Sequence, residues 1–403
     1  MKKPRIFINI HYLEIGGAET SLIGLLQAFD PARVDVDLFL NDHRGEMMAH
    51  IPEWVHVLPP CKPYTMIERP IKEVVKAGYI HIALARLWAK MRFRQYARRK
   101  HPGDGSAIFA YVGKYVTPLL PSWKHLGTYD LAISYVTPHN IVLDKVQARK
   151  KICWIHTDYT QIDVNAALEQ PVWNGYNHIV SISPDVTRNF CKVFPALHNK
   201  ITEIENILSP SFIRQRADAE PQPADMPSIK SGYVLLTIGR YCAAKKIEEI
   251  PLLCRRLTEK GLSVKWYIIG YGHGGEYIRK AIVGEGMENN IVLLGKRANP
   301  YPYIKACDWY VQPSRYEGKA VVVREAQTLG KPVIINDYPT AASQVQNGID
   351  GVIVPMPVKE CAEAMARTLT DSRLKNKIAD YLADHDYSNE SEVEKIYSFI
   401  GDK

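Results

Sequence analysis

Short apolar runs recur along this chain, separated by turn residues and by stretches with helical spacing. Residues 5–10 form a short, mainly apolar run. Residues 34–40 alternate apolar and polar side chains, a period of two that predicts a strand. Residues 55–58, 130–135, 151–159, 178–183 and 200–207 continue the series. Residues 233–240, 264–272, 291–296, 309–311, 332–335 and 352–354 repeat it in the second half. Residues 21–29 and 320–329 fit helices between strands, and 389–400 fit a terminal helix. Gly330, just past the second of these, fits a helix end, with Pro332 after it. Alternating strands and helices predict an α/β fold, with parallel sheets covered on both faces. A chain of 403 residues can hold two such cores.

The glycine turns fall in two series, early and late, and polar groups gather beside them. Gly16 and Gly17 follow the first strand, as in a substrate- or phosphate-cradling loop or an ordinary turn. His156 and Asp158 stand at a strand end, where ligands of such sheets collect. Gly239-Arg240 ends an apolar strand and Lys245 lies five positions beyond Arg240. Arg can grip a phosphate with two parallel hydrogen bonds and Lys acts as a point charge, although alone they would read as surface charges. Glu317 and Glu325 bracket a turn and the first two turns of a helix. Carboxylates accept hydrogen bonds from hydroxyls, and a helix N-terminus offers amides to phosphate. The set matches a nucleotide-sugar. The plain alternative is a surface turn and a core helix with two solvated glutamates.

Pro-Ser-x-x-Glu-Gly…Glu-Ala…Gly-Lys-Pro-Val-Ile, from Pro313 to Ile334, resembles the donor-site signature of the retaining glycosyltransferases of family 4 (glycosyltransferase group 1). Gly-Gly-Ala-Glu after the first strand, Gly-Arg-x-x-x-x-Lys at Gly239 and Ile-Gly-x-Gly at Ile269 are similar to further motifs of that family. The resemblance implies the GT-B architecture: two Rossmann-like domains facing across a cleft. Residues 1–208 would form the acceptor-side domain, 209–231 a linker, 232–385 the nucleotide-sugar donor domain, and 386–403 a helix returning to the first domain. It also implies roles. Arg240, Lys245 and the helix N-terminus after Gly318 would stabilise the leaving diphosphate. Glu317 would hold the sugar hydroxyls, Glu325 the ribose, and His156 would touch the sugar from the other domain. Gly16, Gly17, Gly239, Lys296, Gly318, Lys319 and Ala320 would complete the donor contacts. The implied reaction is hexosyl transfer, with retention, from a nucleotide-sugar (a UDP-sugar favoured) to a hydroxyl of a glycan or lipid-linked glycan, in surface polysaccharide biosynthesis. No cofactor or metal is expected, since no Asp-x-Asp stands at a suitable strand end. A nucleotide-sugar epimerase and a non-catalytic nucleotide-sugar binding protein are the alternatives. The chain departs from the family pattern at Ile207, at Lys246 (where the family has Gly), at Lys319-Ala320-Val321, and at Ser343-Gln344 (where the family often has Glu).

Charge adds one more partner. The net charge is +8, which favours anionic partners. Residues 69–100 hold ten Lys or Arg and one acid, Glu73, interleaved with apolar residues and Trp88. That composition suits an anionic membrane surface. A packed helical hairpin with a solvated basic face is the alternative, and no nucleic-acid module accompanies the stretch. No apolar run reaches a membrane span. The start, Met1-Lys2-Lys3-Pro4-Arg5, leads directly into a strand without a signal-peptide pattern. Seven scattered cysteines suggest neither a zinc site nor a disulfide framework. The expected location is cytoplasmic, peripheral on the inner face of the membrane.

Overall fold

The computed structural model describes residues 3–101, 104–220 and 222–401. Of the segments read above, Met1, Lys2, Pro221, Asp402 and Lys403 lie outside them. The chain divides into two units, Met1–Leu208 with Asn389–Lys403, and Ser209–Ser388.

The first unit is built on a parallel seven-stranded sheet. Its strands are β1 (Arg5–Ile10), β2 (Asp35–Leu40), β3 (His56–Val57), β4 (Tyr129–Ser134), β5 (Ala148–Ile155), β6 (His178–Ser181) and β7 (Ile201–Glu203). They lie in the order β3-β2-β1-β4-β5-β6-β7. Ile8 pairs in register with Leu38 on one side and Ile133 on the other, all three buried. Burial on both faces is why the central strands read as near-continuous apolar runs. Helix α1 (Gly17–Ala28) follows β1. A Cβ on its Gly24 would lie 2.0 Å from the Ile207 carbonyl oxygen, so the chain after β7 rests directly on this helix. Helices α2 (Ile80–Lys100) and α3 (Ile108–Val116) pack on each other between β3 and β4, with Phe93 and Tyr111 in edge contact.

The second unit carries a parallel six-stranded sheet. Its strands are β8 (Tyr233–Ile238), β9 (Val264–Ile269), β10 (Ile291–Gly295), β11 (Trp309–Gln312), β12 (Val333–Asn336) and β13 (Val352–Val354), in the order β10-β9-β8-β11-β12-β13. Residues 209–231, expected as a linker, instead open this unit. Helix α4 (Pro210–Asp218) buries Ile213 and Ala217, and it packs on α5 (Tyr301–Ala306). Asp225 accepts a hydrogen bond from Tyr303 at 2.8 Å and pairs with Arg297. The Pro, Asp and Gln content of the segment conceals the i, i+4 pair Ile213/Ala217 that seats the helix. Helix α6 (Val321–Thr328) links β11 to β12. It ends as its sequence predicts. Gly330 has φ +69°, its N–H donates to Gln327 O, and Lys331 N–H donates to Ala326 O, the two bonds of a Schellman cap.

The terminal helix α7 (Val393–Gly401) is part of the first unit. It buries Val393, Ile396 and Phe399, and Phe399 stacks on His178 at 4.5 Å. Arg33 binds Glu394 at 2.6 Å.

Candidate functional site

Each sheet reverses its winding once, between β1 and β4 in the first unit and between β8 and β11 in the second. Loops leaving the carboxyl ends of such neighbouring strands splay apart and leave a ligand crevice. In the second unit these are the loops after β8 and β11. They carry Gly239 to Lys246 and Pro313 to Ala320, the two stretches singled out from the sequence.

The structure joins them through one carboxylate. Glu317 Oε1 accepts from Lys245 Nζ at 2.6 Å, from Ser314 Oγ at 2.6 Å and from Gln312 Nε2 at 2.9 Å. All three side-chain donors fall on that oxygen. Glu317 Oε2 carries no hydrogen bond among the described residues, so it is left to accept from a ligand hydroxyl. Arg315 locks the two loops together. Its guanidinium binds Glu248 at 2.6 Å and Glu249 at 2.9 Å, and its N–H donates to Ala244 O at 2.8 Å. Arg240 is exposed beside these groups in sequence; its carbonyl accepts from Cys242 N–H at 2.9 Å, and its guanidinium has no hydrogen bond or ion pair among the described residues.

Lys246, where the related motif has glycine, sits in the left-handed region with φ +55°. A non-glycine residue is strained there. Its ammonium is held by Met356 O at 2.6 Å and Glu249 at 2.9 Å, contacts that offset the strain. Gly270 has a different reason to be glycine: a Cβ there would lie 2.0 Å from Gly239 O. The turn after β9 therefore buttresses the Gly239-Arg240 turn. We expect Gly270→Ala to cost about 1–3 kcal/mol, as overpacking does. An unchanged urea midpoint would refute this.

Helix α6 begins beside this cluster, and the amide of its N-cap residue, Ala320, is already engaged. Gln344, 3% exposed, accepts from Ala320 N at 3.1 Å and from Tyr338 OH at 3.0 Å, and donates to Ala320 O. The N–H of Ala320, one of the expected donor contacts, is thus capped by a side chain. Gly318 is buried and Lys319 is half-buried in the same turn. Glu325, further along α6, is buried and accepts from Tyr301 OH at 2.9 Å through Oε1. Burial raises its carboxyl from the ordinary 4.5 to about 7, against the lowering effect of the Tyr301 bond. The Lys296 ammonium lies 5.1 Å from the Tyr271 ring centre, beyond β10 and β9. Sequence reasoning did not find Arg315, Gln312, Ser314, Tyr301 or the role of Gln344. The signals available were weak: an acidic pair, Glu248-Glu249, and polar residues in an otherwise apolar strand.

The remaining candidates belong to the first unit. Gly16 is the N-cap of α1, with extended backbone, and a Cβ on it would meet the Glu19 carboxylate at 2.3 Å. An anion approaching Gly16 and Gly17 would meet that carboxylate. His156 follows β5, with its ring 4.8 Å from that of Tyr135. Its Nε2 is sealed from solvent with no partner among the described residues. Burial lowers its pKa to about 4, so the ring is neutral at pH 7. Asp158 is structural: it accepts from Thr160 N–H, Thr160 Oγ and Asn189 Nδ2 at 2.7–2.9 Å.

Residues 218–384 match the family model described as glycosyl transferases group 1. Alpha-D-kanosaminyltransferase of Streptomyces kanamyceticus is 26% identical over 173 residues, 41% of this chain and 45% of that protein. The capsular polysaccharide biosynthesis glycosyltransferase CapM of Staphylococcus aureus is 28% identical over 152 residues, 37% of this chain and 40% of that protein. The chain thus spans less than half the length of these curated relatives. A solved structure of an S. aureus TarM mutant in complex with Fondaparinux, alpha-GlcNAc-glycerol and UDP has a TM-score of 0.68 at 14% identity, covering 99% of this chain and 100% of that one. Anabaena HepE in complex with UDP and glucose has a TM-score of 0.66 at 16% identity, with coverage of 99% and 100%. These likenesses bear on the fold: two Rossmann-like parallel-sheet α/β domains, as in GT-B proteins. The family model and the relatives support assignment to glycosyltransferase group 1.

Proposed function

We propose that this chain, assigned by its second unit to glycosyltransferase group 1, transfers a sugar from a nucleotide-sugar to a hydroxyl of a glycan or lipid-linked glycan. The reading rests on one observation above all. Lys245 and Glu317, 72 residues apart in sequence, share a 2.6 Å ion pair at the switch point of the second sheet, with one oxygen of Glu317 left to accept. A cation and an acceptor side by side suit a diphosphate joined to a polyhydroxylated ring.

In this reading Glu317 Oε2 holds a sugar hydroxyl, and Lys245 and Arg240 stabilise charge as it grows on the departing diphosphate. Glu325 accepts from the ribose. The transfer retains configuration and uses these fixed cations in place of a metal. A UDP-sugar is favoured because structural neighbours were solved with UDP. A role in surface polysaccharide synthesis draws support from the capsular relative. A lipid-linked acceptor would be presented at an anionic membrane. Among the described residues no helix is long and apolar enough to cross one.

The test is a thermal-shift screen against UDP, GDP, ADP and their sugar conjugates. A ligand at a hundredfold its dissociation constant should stabilise the fold by about 2.7 kcal/mol. One nucleotide series should shift the transition, and its sugar conjugate should then be turned over only when an acceptor hydroxyl is supplied. No shift with any nucleotide would sink the reading. A new sugar nucleotide formed without acceptor would replace it with epimerisation.

A further inference from the structure

Helix α2 is apolar on two opposite faces, and only one of them is used inside the protein. Ile82, Ala83 and Ala89 are buried. Ile80, Leu84, Leu87, Trp88 and Met91 are 40–61% exposed. Their spacing is i, i+4, i+7, i+8, i+11, one continuous stripe of a helix. A stripe of this kind facing water is unexplained by packing within the unit. With Tyr115 of α3 it forms a shallow apolar groove.

The charges around the stripe have one sign. Of the ten basic residues between positions 69 and 100, two are tied inward. Arg69 pairs with Asp42 at 2.9 Å, and Arg86 donates to the Met66 and Arg69 carbonyls. The other eight, among them Lys90, Arg92, Arg94 and Arg98, are exposed, against one exposed acid, Glu73. At 3.6 residues per turn, Arg98 continues the apolar stripe two turns beyond Met91, and Lys90 and Arg92 lie at its two rims. An apolar centre rimmed by long cationic side chains matches the boundary between acyl chains and anionic headgroups. A second copy of the same basic face would repel this one.

The helix and its partner α3 are also joined to the ligand edge of their own sheet. Tyr96 OH donates to Val164 O at 3.2 Å, and Asn165 Nδ2 donates to Tyr111 OH at 2.8 Å. Both partners lie in the segment that follows β5 and His156.

We propose that α2 docks this protein on an anionic lipid surface by laying the stripe Ile80, Leu84, Leu87, Trp88 and Met91 into the interface, while its Lys and Arg rim binds the headgroups. The inference deepens the transferase reading and rests on it for its purpose, which is to bring the first unit to a lipid-linked acceptor.

The experiment is co-sedimentation of the full chain with vesicles of phosphatidylcholine alone and of phosphatidylcholine mixed with phosphatidylglycerol, at low salt and at about 0.5 M salt, where screening is nearly complete. Three proteins are compared: wild type, Leu84→Glu/Trp88→Glu, and Arg92→Glu/Arg94→Glu/Arg98→Glu. Wild type should bind the mixed vesicles at least about tenfold more tightly than phosphatidylcholine and keep part of that binding at high salt. The Leu84/Trp88 variant should lose about tenfold or more at both salts. The arginine variant should lose mainly the salt-sensitive part. These side chains are exposed, and an unchanged melting temperature checks that the variants fold. The proposal is overturned if wild type ignores the mixed vesicles, if it binds both kinds equally, or if the Leu84/Trp88 variant binds like wild type. A concentration-dependent dimer that Leu84→Glu/Trp88→Glu abolishes, without vesicle binding, would assign the stripe to a second copy instead. The nucleotide thermal shift, run on the same samples, separates the two readings. Vesicle binding without a nucleotide shift sinks the transferase reading alone, and a nucleotide shift without vesicle binding sinks the docking proposal alone.

Discussion

Lys245→Ala should lower turnover of the nucleotide-sugar by about two to three orders of magnitude, the loss typical of removing one preorganised charge stabiliser. Lys245 is placed for this by packing that does not depend on it. Arg315 clamps its loop through Glu248 and Glu249, and the Gly239 turn before it rests on Gly270. The loop should therefore survive the truncation. Glu317 would keep two neutral donors, Ser314 and Gln312. Its charge would no longer be offset by a cation 2.6 Å away, which makes the site more repulsive to a diphosphate. The readout is release of nucleoside diphosphate from the stabilising sugar conjugate, together with affinities for the nucleoside and for its diphosphate. Nucleoside affinity should stay near wild type, diphosphate affinity should fall, and kcat should fall furthest. A loss under fivefold in kcat, or equal losses for nucleoside and diphosphate, would remove Lys245 from the phosphate.

The strands of both sheets were legible because parallel strands buried on both faces are written as near-continuous apolar runs such as Phe7 to Ile10, broken only by Asn9, and Leu235 to Ile238, broken only by Thr237. The site was legible where chemistry and turn geometry coincide, at Glu317, Lys245 and Gly239. What stayed hidden depends on tertiary contact. Glu317 and Lys245 look like independent surface charges until the sheet order sets β8 beside β11. Gln344 stood out as a departure from a family pattern, and nothing local indicated that its amide would fold back onto Ala320, 24 positions earlier. Lys246 shows the reverse case: the glycine it replaces marks a left-handed backbone, and that backbone persists here at φ +55° with lysine in place. For residues 69–100 the sequence fitted both a packed hairpin and a membrane face. Helix α2 carries two apolar stripes, so periodicity alone gave no means of telling the buried one from the exposed one.

Glu325→Gln should make the protein more stable at pH 8 and remove a step in its stability profile. Burial holds the Glu325 carboxyl at about 7 in the fold, against 4.5 in an exposed chain. One pKa unit corresponds to about 1.4 kcal/mol, so ionising this group inside the fold costs on the order of 3 kcal/mol. The sign follows from the raised value. Between about pH 4.5 and 7 the folded protein holds a proton that the unfolded chain releases. This contribution is therefore fully present below pH 4.5, declines as pH rises through that window, and is gone above it. A glutamine carries no such charge and can still accept from Tyr301 OH, now at 2.9 Å. Urea unfolding at several pH values should show the wild-type decline and a flatter curve for the variant. The same group should couple to ligand binding. Ribose hydroxyls donating to the carboxylate favour its ionised form, so nucleotide binding near pH 6 should release a proton and tighten as pH rises toward 7. Calorimetry in two buffers of different ionisation enthalpy measures that proton directly. Release in wild type and none in Glu325→Gln would place Glu325 on the ribose. Equal release in both would leave its burial a purely structural cost and move the ribose contact elsewhere.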